Sequence, residues 1–206
     1  MAGWGFAHPT PEGPRPAFDY RFEHSLAAVK LARWLCPQVG ADLDVVECAA
    51  WLHDARKRMK RHDGKDFHAQ EAAAAAAEIL AGTDFPLAKL AAVQHAIAHH
   101  VGLTLARPLQ PLETAALWDC DKLSKLGAAS LVHFTCVAGA HQPSTTAEIL
   151  RRGDAWLDLA AAIAASMNTA PAKAEAERRL AFLVHHYAQL RREWQEPLQE
   201  CPGCAR

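Results

Sequence analysis

Sustained alternation of apolar and polar residues is missing from this chain, and with it the signature of half-buried strands. No run reaches the ~18 uncharged apolar residues of a membrane span, which excludes a bilayer helix. Net charge is scarce too. Lys and Arg number 22 against 23 Asp and Glu, so no global positive field is available to hold a nucleic acid. The first sixteen residues have neither a basic start nor an apolar core and do not read as a secretory signal, so the expected location is the cytoplasm. Cysteines are few, and Cys36, Cys48, Cys120 and Cys136 are scattered in helical, mostly apolar contexts that suit reduced thiols. Only Cys201 and Cys204 have ligand spacing, and a structural zinc needs about four ligands.

What the chain does have is alanine and leucine at helical spacing from end to end, in a composition that is 50% hydrophobic. The expectation is an all-α fold of about seven or eight helices in one domain. An irregular segment over 1–16 should precede a helical domain over 17–195, with a tail over 196–206. The periodicity predicts helices over about 18–35, 41–54, 66–81, 85–101, 112–126, 128–139, 144–167 and 171–194. The first should stop at Cys36, because a residue before proline disfavours the helical region. The last carries Trp194 and leaves a homodimer through that helix open.

Two His-Asp pairs occur, in different settings. His62-Asp63 lies in a polar, charge-dense loop, whereas His53 continues the apolar stripe of Val46, Ala49 and Ala50. A buried histidine beside a buried carboxylate needs a partner, either a metal ion or a hydrogen bond inside the core. His24 shares a face with Ala27, Ala28, Leu31 and Leu35 and also points inward. His68 opens the third helix. His95 and His99 are four apart on the fourth, where His100 instead follows the more apolar face, and periodicity leaves His99 and His100 both open. It likewise does not choose between Asp119 and Asp121. One such group per successive helix is what a bundle needs to aim several ligands at one point. Arg56, Lys57, Arg58 and Arg61, in the densest positive run of the chain, follow His53-Asp54 at once. They could either complement a helix end or hold phosphate oxygens.

The segments Phe22-Glu23-His24-Ser25, Ala49-Ala50-Trp51-Leu52-His53-Asp54, Asp66-Phe67-His68-Ala69, Ala98-His99-His100 and Asp119-Cys120-Asp121-Lys122-Leu123 give the resemblance its specificity. Together they resemble the HD-domain metal-dependent phosphohydrolases, in particular the small single-domain bacterial members. The resemblance implies that His24, His53, Asp54 and Asp121 bind the core metal, since the aspartate preceding a basic residue and leucine is the family's ligand. It further implies that His68 and His100 serve a second ion bridged by Asp54, and that Lys57 faces substrate phosphate, with Arg56, Arg58 or Arg61 holding the remaining charge. His133 stands where relatives carry an arginine, which makes it a substituted phosphate contact. The implied cofactor is one or two divalent ions, among Mn, Fe, Mg, Co, Ni and Zn. The implied reaction is hydrolysis of a nucleotide or another small phosphomonoester by metal-activated water, with Asp54 and Lys57 catalytic. Two alternatives stand beside it: a di-iron oxygenase of the same superfamily, and a non-catalytic module that binds a nucleotide.

Overall fold

The computed structural model describes residues 7–8, 15–16, 19–57, 67–141 and 145–195. Arg58, Arg61, Cys201 and Cys204 therefore lie outside the described residues, as do most of the segments 1–16 and 196–206. Apart from a two-residue antiparallel pairing of Ala7–His8 with Arg15–Pro16, the described secondary structure is helical, and the fold is all-α. No helix among the described residues is long and apolar enough to cross a membrane.

Helix α1, Tyr20–Val39, starts where the Asp19 carboxylate accepts from the Phe22 amide. It does not stop at Cys36 as the sequence suggests. Pro37 lies inside the last turn, and the helix closes instead at Gly40, which takes φ 75° and donates its amide to the Cys36 carbonyl. The steric bias before a proline is outweighed here by the burial of Leu35 and Cys36. Helix α2, Leu43–Leu52, is capped by Asp42, which accepts from the amides of Asp44 and Val45. Helix α3, His68–Leu80, buries Ala69, Ala72, Ala73, Ala75 and Ala76, whose small side chains let the next helix approach closely.

The predicted fourth helix is broken up. A 3-10 turn, Leu87–Lys89, leads into a shorter α4, Leu90–Ala98. The two imidazoles that follow cause the early stop: His99 Nδ1 donates to the His95 carbonyl and His100 Nδ1 to the Ile97 carbonyl, taking acceptors that further turns would use. Helix α5, Leu112–Leu123, is buried on every side from Thr114 to Leu123. It is the axis of the fold. Helices α1, α2 and α4 pack on it, and the chain's last described helix touches it as well. Helix α6, Gly127–His141, and α7, Thr146–Ala165, pack on that last helix, α8, Ala170–Gln195. A capping box between Thr145 and Glu148 starts α7. Gly153 permits the close approach of α7 to α8, because a Cβ there would sit 2.1 Å from the Tyr187 ring.

Candidate metal centre

The end of α2 sets the site. The turn that follows it presents His53 and Asp54, 0% and 4% exposed, beneath His24 from α1, His68 from α3, His100 after α4 and Asp121 from α5. His24 Nε2 and His53 Nε2 lie 3.1 Å apart, and His24 Nε2 lies 3.1 Å from Asp121 Oδ1. His68 Nε2 and His100 Nε2 face each other at 3.4 Å. Asp54 stands between the two groups. Its Oδ2 is 4.0 and 3.9 Å from His24 and His53, and its Oδ1 is 3.5 and 3.7 Å from His68 and His100.

The far sides of three rings are already committed. His53 Nδ1 donates to the Ala50 carbonyl at 2.8 Å, and His100 Nδ1 to the Ile97 carbonyl at 2.6 Å. The Ser124 hydroxyl donates to the Asp121 carbonyl and so accepts from His24 Nδ1 at 3.0 Å. Each of these rings is thereby held in the tautomer whose Nε2 lone pair points inward. Lone pairs 3.1 Å apart, ringed by carboxylate oxygens, repel one another unless a cation lies among them. The residues therefore fit a divalent ion, and two groups, His24, His53 and Asp121, and His53, Asp54 and His100, each converge closely enough to hold one.

The protonation states agree. Burial pushes His53 down to about 3, against the pull of Asp54 and Asp121. Burial also lowers His24, helped by the Lys125 ammonium. Burial alone would raise Asp54, but His100, His53 and Lys57 more than offset it and hold the carboxyl low. Burial would likewise raise Asp121, and Lys122, Lys125 and His24 hold it well below the carboxylate range. The sign of the consequence is fixed. Below pH ~6.5 the unfolded chain takes up histidine protons that the folded chain refuses, so the metal-free protein loses stability as pH falls. The fully buried His53 carries a large share of that loss between pH ~6.5 and pH ~5. Urea midpoints of chelator-treated protein across that range should fall steadily, and a flat profile would contradict the assigned tautomers.

Lysines surround the carboxylates. Lys57 Nζ lies 3.0 and 3.3 Å from the two Asp54 oxygens, and Lys125 Nζ lies 2.8 Å from Asp121 Oδ1 and 3.3 Å from His24 Nε2. Lys122, buried under the Trp118 ring, donates to Asp121 Oδ2 and to the His100 carbonyl, tying the two halves of the site together. Sequence reasoning misses Lys125, although it stands four residues after Asp121 and so on the same helical face. Tyr20, stacked flat on His24 at 5.6 Å, is missed as well, and no spacing signals it.

Other candidates lie elsewhere. Asp119 is turned to the α7–α8 junction, where its carboxylate accepts from the backbone and side chain of both Asn168 and Thr169 at 2.8 to 2.9 Å. His99 is exposed and stacks on His95. Arg56 does not reach the cluster: its guanidinium points outward, 3.8 Å from Glu78 on α3. His133, where the resemblance implies a substituted phosphate contact, meets the edge of Tyr20 at 6.3 Å and lines a neighbouring cavity.

The HD domain model matches residues 21–126, the segment from α1 through α5 that carries all six inward ligand candidates. The chain belongs to the HD domain family. Solved structures share the HD fold at low identity. An HD-superfamily hydrolase from Bacillus thuringiensis is 21% identical with a TM-score of 0.63, covering 88% of this chain and 89% of its own. A predicted HD-superfamily hydrolase from an uncultured Thermotogales bacterium is 23% identical with a TM-score of 0.58, covering 83% and 79%. Bacillus subtilis YpgQ in complex with ADP is 22% identical with a TM-score of 0.57, covering 84% and 88%. Among curated proteins none matches this HD-domain chain.

Proposed function

We propose that the chain is a metal-dependent phosphohydrolase that cleaves a phosphate monoester, with His24, His53, Asp54 and Asp121 holding one divalent ion and Asp54, His68 and His100 a second. The observation that carries this reading is the division of the two Asp54 oxygens between two imidazole pairs, with lysines on both flanks. Divalent ions bound there would lower the pKa of a coordinated water to near 7 and polarise a phosphoryl oxygen. The protein's own groups supply the rest. The Lys57 side chain is 39% exposed, so its ammonium can stay on Asp54 while turning another N–H to a phosphate oxygen. Lys125, whose side chain is 18% exposed, stays an ammonium because Asp121 more than offsets its desolvation, and it offers charge from the opposite flank. In the net reaction the hydroxyl of water joins phosphorus, the ester P–O bond breaks, and the remaining proton passes to the leaving oxygen. A nucleotide is one such ester, and the ADP held by the YpgQ structure supports including it.

Four imidazoles and two carboxylates also suit a di-iron pair, so the oxygenase reading stands second. Metal analysis of protein purified under low oxygen without added metal, followed by phosphate-release assays with and without oxygen, separates them. About two ions per chain and oxygen-independent phosphate release are expected. Turnover that requires oxygen would establish the oxygenase; saturable nucleotide binding without turnover after metal is restored would establish the binding module.

A further inference from the structure

Beside the metal centre the fold holds a cavity of about 350 Å³. Ser124 and Lys125 line it, and these same residues touch His24 and Asp121, so it adjoins the ligand cluster. Its remaining wall is largely apolar and aromatic, with Leu131, Phe134 and Val137 from α6, Trp156 from α7 and Leu183 and Tyr187 from α8, and with Tyr20 and His133, which meet edge to face, beside them. We infer that this cavity receives the leaving group of the substrate, and that among phosphate monoesters it favours a compact aromatic or apolar alcohol over the nucleoside of a nucleotide or a sugar. This inference rests on the phosphohydrolase reading.

Three features carry it. The volume is at the small end of the ~300–1,000 Å³ usual for ligand pockets, enough for a one- or two-ring group. The polar groups at the metal end are committed elsewhere. The Ser124 hydroxyl is engaged with His24 and Asp121, the Ser130 hydroxyl donates to the Gly127 carbonyl, and Lys125 is held by Asp121. A nucleobase or sugar seated here would bury donors and acceptors against Leu131, Val137 and Leu183, at a cost that an apolar ring does not incur. Finally, the charge needed for a phosphate lies only at the cluster end, with Lys125, which orients an ester phosphate first toward the metal ligands.

Calorimetric titration of 1-naphthol into metal-free protein tests the pocket without relying on turnover. Saturable binding with a negative heat-capacity change is expected. Filling the space in Val137→Trp, or in Leu131→Trp should the first variant fold poorly, should weaken that binding by at least about tenfold. With metal restored, kcat/KM for 1-naphthyl phosphate should exceed that for adenosine monophosphate and for glycerol 2-phosphate by at least about tenfold. Absent naphthol binding, or equal turnover of the three esters, overturns the pocket assignment while leaving hydrolysis standing. Naphthol binding with no ester hydrolysed keeps the pocket and removes the phosphohydrolase reading instead.

Discussion

Asp54→Ala should abolish metal binding and lower phosphate release by on the order of 10³-fold or more, while the helices stay folded. The size of the effect follows from position. Asp54 is the one carboxylate with an oxygen on each imidazole pair, so its loss removes a ligand from both halves at once and leaves Lys57 without its anchor. The fold is spared because Asp54 lies beyond the last turn of α2, and the apolar contacts of Val45, Val46, Ala49 and Ala50 beneath it are untouched. Metal content by elemental analysis, helicity by circular dichroism and phosphate release together make the test. A variant that keeps full hydrolysis would end the assignment of this cluster as the reaction centre.

Asp119→Ala should do the reverse, destabilising the protein by about 3–5 kcal/mol while leaving the metal ligands in place. Four donors converge on that carboxylate, two of them backbone amides at the entry to α8, and truncation would leave them partly buried without an acceptor. Asp119→Asn, which keeps the shape but replaces one acceptor oxygen with a donor, should fall between. Denaturant midpoints measure the loss, and metal stoichiometry on the same samples separates the two aspartates. A stable Asp119→Ala protein that has lost its metal would exchange the roles of Asp119 and Asp121.

The contrast between those two aspartates shows where the sequence can and cannot be read. On amphipathic α1 and α2 the apolar stripe marks an inward face, so His24 and His53 are legible from spacing alone. Helix α5 is buried from Thr114 to Leu123 with no wet side, so periodicity there has no contrast and cannot separate Asp119 from Asp121. Resemblance favours Asp121, and that carboxylate lies among the imidazoles. Similarly, His100 reads as a position on a long helix, yet it follows a helix that its own ring helps to end. That cap depends on side-chain hydrogen bonds that hydrophobic spacing does not register. Arg56 is suggested by charge and His133 by resemblance. Neither signal carries the direction of a side chain: Arg56 points outward to Glu78, and His133 lies one ring beyond His24, against Tyr20. The cavity is not legible at all, because residues near the ligand motifs, Tyr20, Ser124 and Lys125, close it together with side chains from α6, α7 and α8 that are far from those motifs in sequence.

Gly153 is not one of the ligand residues, yet it sets how much room the cavity beside them has. Tyr187 both rests against that glycine and forms part of the cavity wall, so the missing methyl group is what lets the ring stand back. A descendant with alanine there would have to move the ring or part the two helices, and would reshape its pocket around an unchanged ligand set. The spacing of these two covering helices can therefore change the shape of the cavity while the ligand cluster beside it is held constant.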